Sequence, residues 1–382
     1  MKALYRQLII VSFFVAFATT AFPIFIPAYL DELGLSNVEI GVSLAALYMT
    51  SALLSLFVGY VEEKIDKIKI LVSSYFGYIL LPLFYLNITG LASIFLVRIY
   101  DGVITSLRYV SRYSILESKK AYETGINVSL NEALSNIGCL LGPLAAGAVA
   151  AYYGINMIFI IASIILFFIA LYSLKMLKFS KHKFNHNIHF SLVFRELFHN
   201  KSLIILSSVF LLFAIVNSSK FMVVTLYLKS IHFNNLYIGL VGSSFFFFMF
   251  LFELFSGYLE KESLRNIFLT IGLILCAGSY FLFSSLALNL YTILFFSLLF
   301  SLGTAFVRPA IFANLVSIEK DNSNIGTGIL FFFSNIGSAI GLVISGILIQ
   351  ISFKLFFISG AGLLLFSSFI VLIFYKSLQQ SD

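Results

Sequence analysis

Charge is what this chain has least of. Only 11% of its 382 residues are Asp, Glu, Lys or Arg, while 60% are apolar, and mean hydropathy is +1.02. A soluble domain needs far more surface charge to stay dispersed, so that class is excluded. Tryptophan is absent, which leaves tyrosine to form the belts at a membrane interface and says nothing about cargo. Cysteine occurs twice, as Cys139 and Cys276. Both fall inside apolar stretches with no evident disulfide geometry, so they read as reduced core residues. Neither a convincing nucleophile nor a cluster of metal ligands stands out, and almost no residues remain for a soluble catalytic domain. An enzyme is therefore not expected, nor a metal or organic cofactor.

What is abundant is apolar chain of one particular length. A helix needs about 20 apolar residues to cross a bilayer, and twelve stretches of that size follow one another: 8–30, 38–61, 68–86, 91–113, 126–152, 155–177, 203–228, 236–259, 267–286, 291–317, 325–351 and 355–375. The pattern predicts an all-α membrane protein of twelve transmembrane helices. The first stretch is too long for a signal-peptide core and lacks a small-x-small cleavage site, so it reads as a retained helix. Twelve crossings put both termini on one side. With the N-terminus inside, 18 of the 24 basic residues fall in inner loops and tails, against Lys229 and Lys354 outside. That bias predicts a multi-pass cell-membrane protein with both termini cytoplasmic. It also accounts for the net charge of +7 without nucleic acid. The expected partners are lipid and a small-molecule substrate, for a monomer.

The chain nearly repeats itself. Tyr29, Leu30, Asn37, Ile40, Gly41, Gly59, Tyr60 and Glu62 recur 198 residues later as Tyr227, Leu228, Asn235, Ile238, Gly239, Gly257, Tyr258 and Glu260. Ser135-Asn136-Ile137-Gly138 with Gly142 and Gly147 returns, one further residue out of step, as Ser334-Asn335-Ile336-Gly337 with Gly341 and Gly346. Two equivalent halves in a membrane are the usual plan of a transporter whose substrate sits between them. The expected organisation is two pseudo-symmetric six-helix bundles, 1–178 and 202–382, joined by a cytoplasmic linker, 179–201. The surrounding connection, 175–201, carries six basic residues and four of the five histidines. His182, His186 and His189 could share a helical face and hold a metal, but a solvated linker is the better reading. Gly138 with Gly142, and Gly337 with Gly341, read as close-packing helix faces.

A charge at bilayer depth is costly and is kept chiefly where it works or is paired. Seven lie inside the stretches: Arg98, Asp101, Arg108, Glu132, Lys220, Glu253 and Arg308. The third, sixth, ninth and twelfth stretches carry none in their interiors and read as lipid-facing supports. In the fourth, Arg98, Asp101, Thr105, Arg108 and Arg112 follow at steps of 3, 4, 3 and 4, which makes one polar stripe. The stripe must face a cavity or protein, with Arg98 able to pair with Asp101 and Arg112 readable as an inner-leaflet anchor. Depth sets Asp101 level with Lys220, and Glu132 and Glu253 near Arg108 and Arg308, so pairs across the halves could gate the carrier. Static pairs that merely satisfy buried charge are the competing reading. A buried carboxyl can carry a proton, which makes Asp101, Glu132 and Glu253 the coupling candidates, with Arg98 tuning them. Thr105, Arg108, Lys220 and Arg308 are the substrate-cavity candidates.

These residues resemble the major facilitator superfamily over the whole chain, and more closely its twelve-helix drug/proton antiporter branch. Pro23 to Leu30 looks like that branch's proline-bearing first-helix motif. Gly59-Tyr-Val-Glu-Glu63-Lys64-Ile-Asp66-Lys67 is similar to the Gly-x-Leu-x-Asp-Arg-x-Gly-Arg loop between helices 2 and 3, with Asp66 in place of the glycine. Arg98-xxx-Gly102 fits the fourth-helix motif associated with proton transfer, and Gly138-xxx-Gly142-Pro143-xxx-Gly147 fits the fifth-helix antiporter motif. The resemblance implies alternating access driven by the proton gradient, as a proton-coupled exporter of drugs or small amphipathic metabolites. It makes Gly59, Glu63, Lys64, Lys67, Gly138, Gly142, Pro143 and Gly147 the conformational gate. Related exporters often use an acid in the seventh helix, where this chain has Lys220. Four positive against three negative intramembrane charges suit an organic anion or zwitterion, so an uptake carrier for such a metabolite is the alternative.

Overall fold

Within a bilayer every backbone N–H and C=O must be satisfied internally, and an uninterrupted helix does this alone. The computed structural model follows that rule. It describes residues 2–116, 121–179, 200–253, 262–285, 289–318 and 323–374. The first crossing is broken into α1 (Lys2–Ala21), a 3-10 turn (Pro23–Phe25) and α2 (Ile26–Glu32). The break falls where Pro23 has no N–H to offer. The others are α3 (Asn37–Lys64), α4 (Lys67–Tyr85), α5 (Leu91–Leu116), α6 (Ala121–Tyr153), α7 (Ile155–Ser173), α8 (Lys201–Ser230), α9 (Asn235–Glu253), α10 (Glu262–Ser285), α11 (Leu290–Ile318), α12 (Ser323–Ile351) and α13 (Phe353–Ile373). Each matches one predicted stretch. Among the described residues eleven spans are long and apolar enough to cross a membrane; α5, with its charged stripe, is not among them.

Caps mark the ends. Ser36 and Glu39 form a reciprocal box at the start of α3, with Ser36 N–H donating to Glu39 Oε2 at 2.8 Å and Glu39 N–H to Ser36 Oγ at 3.3 Å. Asn200 caps α8 and Ser352 caps α13. The motif expected as a loop between the second and third crossings is mostly helix, because α3 runs on through Lys64. Asp66 explains the short break: its carboxylate accepts from Ile68 N–H at 2.8 Å and starts α4. Lys67 donates to the Ser114 carbonyl at 2.6 Å, tying this corner to α5. The surroundings of Gly59 and the side chains of Glu63 and Lys64 lie outside the described residues, as do Glu253's side chain and His182, His186 and His189.

The repeat is visible in side-chain geometry. Tyr85 stacks on Phe159 with centroids 5.3 Å apart, and their counterparts 198 residues on, Phe283 and Phe357, stack at 4.9 Å. Gly34 and His232, equivalent turn positions, both take positive φ, at 83° and 61°. Gly138 and Gly142 press on the Phe13 and Phe17 carbonyls of α1, while Gly337 and Gly341 press on the Leu211 and Ile215 carbonyls of α8. The close-packing faces therefore act within each half.

Between the halves the seam is made by the repeat's other glycines. Gly147 of α6 lies against Gly239 of α9, where an added Cβ would sit 2.9 Å from the Gly239 Cα. Gly346 of α12 lies against α3, where a Cβ would sit 2.6 Å from the Asn37 carbonyl oxygen and where Gly41 faces it. Both contacts are at the end of the bundle that carries the short turns 33–36, 86–90, 154, 231–234 and 352. Lys229 adds ion pairs with Asp31 at 3.5 Å and Glu32 at 2.9 Å, and Thr225 donates to the Ile24 carbonyl at 3.1 Å. The short-turn end is thus closed by backbone-close contact. Toward the opposite, linker end, the contacts between halves include Tyr109 and Tyr113 against Phe331.

Apolar side chains on α7, α10 and α13, such as Phe168, Ile274 and Phe369, face outward, as expected of lipid-facing supports. The third crossing does so on one side only, where Phe76, Leu80 and Phe84 of α4 are exposed. One face of α4 turns Tyr75, Tyr78 and Leu81 to the space between the halves, because its other neighbours, α5 and α7, cover only part of its circumference.

Candidate functional site

A cavity of about 430 Å³ lies between the halves beneath the glycine seam. The polar stripe of α5 forms one wall: Arg98, Asp101, Thr105, Arg108 and Arg112 all line it. They share a face because steps of three and four keep to one side of a 3.6-residue helix. Glu132 and Asn136 reach it from α6, Thr19 from α1, and Tyr48 from α3. The second half contributes Arg308 from α11, Asn217 from α8 and Asn335 from α12, together with the rings of Phe210, Phe213, Phe221, Phe246 and Phe331. The first half therefore supplies both carboxylates and three of the guanidiniums, and the second half supplies five phenylalanines beside Arg308 and several amides and hydroxyls.

Hydrogen bonding organises the charged wall. Arg98 pairs with Asp101 at 3.1 Å, both buried. Asp101 Oδ1 also accepts from the Thr105 hydroxyl at 3.1 Å, and Thr105 meets the Tyr78 hydroxyl at 2.8 Å. A hydroxyl has one proton, and an ionised carboxylate only accepts, so Thr105 donates to Asp101 and Tyr78 donates to Thr105. Arg112 pairs with Glu132 and donates to Ser135 Oγ at 3.4 Å. Arg112 is 9% exposed, so it is a buried partner of Glu132 and not the inner-leaflet anchor its place near the helix end implied. Arg108 is held differently. It donates to Thr19 Oγ1 at 3.1 Å and lies over the Tyr78 and Tyr109 rings at 4.9 and 4.7 Å, with no carboxylate at ion-pair distance among the described residues.

Asp101 and Glu132 do not form the expected pairs across the halves, and the pairing expected of Glu253 lies outside the described residues. Asp101 and Glu132 are each satisfied inside the first half, one turn along α5 or across to it, where a nearby guanidinium meets the carboxylate without bridging the cavity. Lys220 also departs from its expected place. It is 3% exposed and sits one layer behind the wall, with Nζ 2.7 Å from Asn217 Oδ1 and 4.9, 5.3 and 5.1 Å from the Phe221, Phe245 and Phe300 ring centroids. Its partner Asn217 is what reaches the cavity. Of the expected gate residues, Gly147 and the Pro143 carbonyl meet Gly239 at the seam, whereas Gly138 and Gly142 pack within the first half. Tyr78, Thr19 and Asn217 carry no helix-face charge in sequence, so only their packing revealed them.

The cavity thus presents four guanidiniums, those of Arg98, Arg108, Arg112 and Arg308, against the carboxylates of Asp101 and Glu132. The formal balance is 4 − 2, or +2. Both carboxylates are already claimed. In addition, the Nε–H groups of Arg98 and Arg112 are buried without a described protein acceptor. Guanidiniums in excess of carboxylates are the donor set that planar, charge-assisted recognition of an acid uses.

The Major Facilitator Superfamily model matches residues 8–237 and 218–381. No curated protein matches the sequence. Among solved structures, the human organic anion transporter MFSD10 (TETRAN) superposes with a TM-score of 0.72 at 13% identity, covering 96% of this chain and 99% of that one. A POT family transporter in complex with a thioalcohol-conjugated peptide gives 0.81 at 13%, covering 98% and 96%. The nucleoside transporter NupG gives 0.79 at 15%, covering 98% and 100%. At such identities these likenesses speak to fold alone. With the family model matching both halves, this membrane protein belongs to the Major Facilitator Superfamily, and it is a transporter, not an enzyme.

Proposed function

We propose that the chain carries a small amphipathic organic anion by alternating access, with protons moving in the same direction. The observation that carries this reading is the cavity's composition: a net cationic wall on the first half faces phenylalanines on the second. The acid of the substrate would sit on Arg108, with Arg308 nearby, and its apolar body against Phe210, Phe221 and Phe246.

The coupling follows from competition. A substrate carboxylate and the carboxylates of Asp101 and Glu132 seek the same guanidiniums. A proton on Asp101 or Glu132 releases Arg98 or Arg112 for the substrate, so proton and anion load together. That is symport. A drug/proton exporter, the reading the sequence motifs favour, exchanges a proton for a cation at a carboxylate open to the cavity. Asp101 and Glu132 are both held by arginine, which favours the uptake alternative. Glu253 stays a coupling candidate on sequence grounds. By the distribution of basic residues the linker end faces the cytoplasm of a cell membrane, and one chain encloses the whole cavity, so a monomer suffices.

Purified protein in liposomes tests the proposal. Uptake of labelled phenylacetate should rise when the outside is made more acidic than the lumen. Uptake indifferent to the imposed gradient overturns the coupling, and no uptake of any aryl or alkyl carboxylate overturns the anion reading.

A further inference from the structure

Lys220 is a buried cation with no carboxylate at ion-pair distance among the described residues. A charge so placed is costly unless it does something, and its surroundings limit what that is. Three phenylalanine rings close round the ammonium, and its one described hydrogen-bond acceptor is Asn217 Oδ1. An ammonium has three donors and no acceptor. The carboxamide of Asn217 must therefore turn its oxygen to Lys220, whichever way it would otherwise lie. Its NH₂ is then the edge left for the cavity that Asn217 lines, and that NH₂ has no described protein acceptor.

The repeat gives the position a counterpart. Asn217 answers to Thr19 at the 198-residue offset, and Thr19 also lines the cavity with its polar atom fixed by a half-buried cation, Arg108. The same place in each half thus carries a small polar group oriented by a basic residue.

We infer that Lys220 is a positioning residue that locks Asn217 as a hydrogen-bond donor to the substrate, so the carrier selects anions bearing a second acceptor, such as a carbonyl oxygen, toward the α8 side. This rests on the proposed anion transport and adds a specificity to it. A hydrogen-bonding site rejects an analogue that leaves its polar group unpaired, so the lock would be read as discrimination and not as overall rate.

The test compares 4-acetylbenzoate with 4-isopropylbenzoate, two carboxylates of similar shape of which only the first has the acceptor, in proteoliposomes. Wild type should show a KM lower by about tenfold for the acetyl compound. Lys220→Met, which frees the amide to turn, should erase most of that preference while keeping the maximal rate for the isopropyl compound. Asn217→Leu should erase it as well. Asn217→Asp, which pairs with Lys220 and offers the cavity only acceptors, should raise the acetyl compound's KM further than Asn217→Leu does. Preference intact in Lys220→Met, or both compounds weakened equally, overturns the positioning role. Wild-type transport of both compounds without preference overturns the inference and leaves anion transport standing. Transport of neither overturns both.

Discussion

Arg108 differs from its neighbours on the α5 stripe in what holds it. Arg98 and Arg112 each face a carboxylate, whereas Arg108 rests between two tyrosine rings with a threonine hydroxyl as acceptor. Its charge is the one most available to a ligand. Arg108→Gln should cost roughly 1.5–3 kcal/mol of anion binding, seen as a KM for phenylacetate raised about ten- to hundredfold. Arg108→Lys should recover only part of this, because an ammonium lacks the planar fork and stacks poorly on Tyr78 and Tyr109. An unchanged KM in Arg108→Gln would move the anion site elsewhere. The Arg112 and Glu132 pair should behave as a buried one. Glu132→Gln strands a buried guanidinium and should destabilise the protein by about 3–5 kcal/mol, while the double variant Arg112→Met with Glu132→Met should recover much of that. Thermal unfolding of the purified variants in detergent compares them; a double variant no better than the single contradicts the pairing. Much of this wall was legible in sequence, since the 3, 4, 3, 4 spacing needs only helical periodicity. Arg112 was harder to read, because a basic residue one turn from a helix end has the same signature whether it snorkels or pairs. Lys220 was harder still. Its depth could be counted along α8, but whether it faced the cavity or a neighbouring helix depended on the rotation that packing gave α8.

At the scale of elements, the glycines of the repeat divide into two jobs that their spacing alone did not separate. Gly142 presses on the Phe17 carbonyl in its own half, and Gly239 presses on Gly147 across the seam, where a Cβ would lie 2.7 Å from the Gly147 Cα. Gly142→Val should therefore lower the unfolding temperature and yield, while Gly239→Val should hold the short-turn end apart. Spin labels at Tyr152 and Tyr291, both exposed on opposite halves, should report a longer distance in Gly239→Val and no change in Gly142→Val. Equal distances in Gly239→Val and the parent would remove the seam from the gating account. The turns offer a second comparison. Gly34 and His232 occupy one repeat position with positive φ, a conformation costing roughly 1–2 kcal/mol for a residue with a Cβ. His232→Gly should raise the unfolding temperature and Gly34→Ala should lower it, although no atom crowds Gly34. Helix number and order were legible because bilayer thickness sets a length that apolar stretches must meet. The break at Ile65 and Asp66 was not, since a single capping carboxylate shortened to two residues what the motif implied was a loop.

For the whole molecule, the two halves are alike in scaffold and unlike in lining. Equivalent aromatic stacks and turns recur at an offset of 198 residues and the glycine faces at 199, and they build bundles that meet at the short-turn end. The charges do not recur: α5 carries a stripe for which α11 retains Arg308. A symmetric frame holding an asymmetric cavity would orient the proposed substrate, with its charged end and its apolar end. The central claim is that this cavity is an anion site, and a matched pair of ligands tests it most directly. Phenylacetate and phenethylammonium share the ring and differ in the sign of the end group. Thermal shift of the purified protein should show concentration-dependent stabilisation by phenylacetate, lost in Arg108→Gln, and none by phenethylammonium. Stabilisation by phenethylammonium in place of phenylacetate would contradict the account.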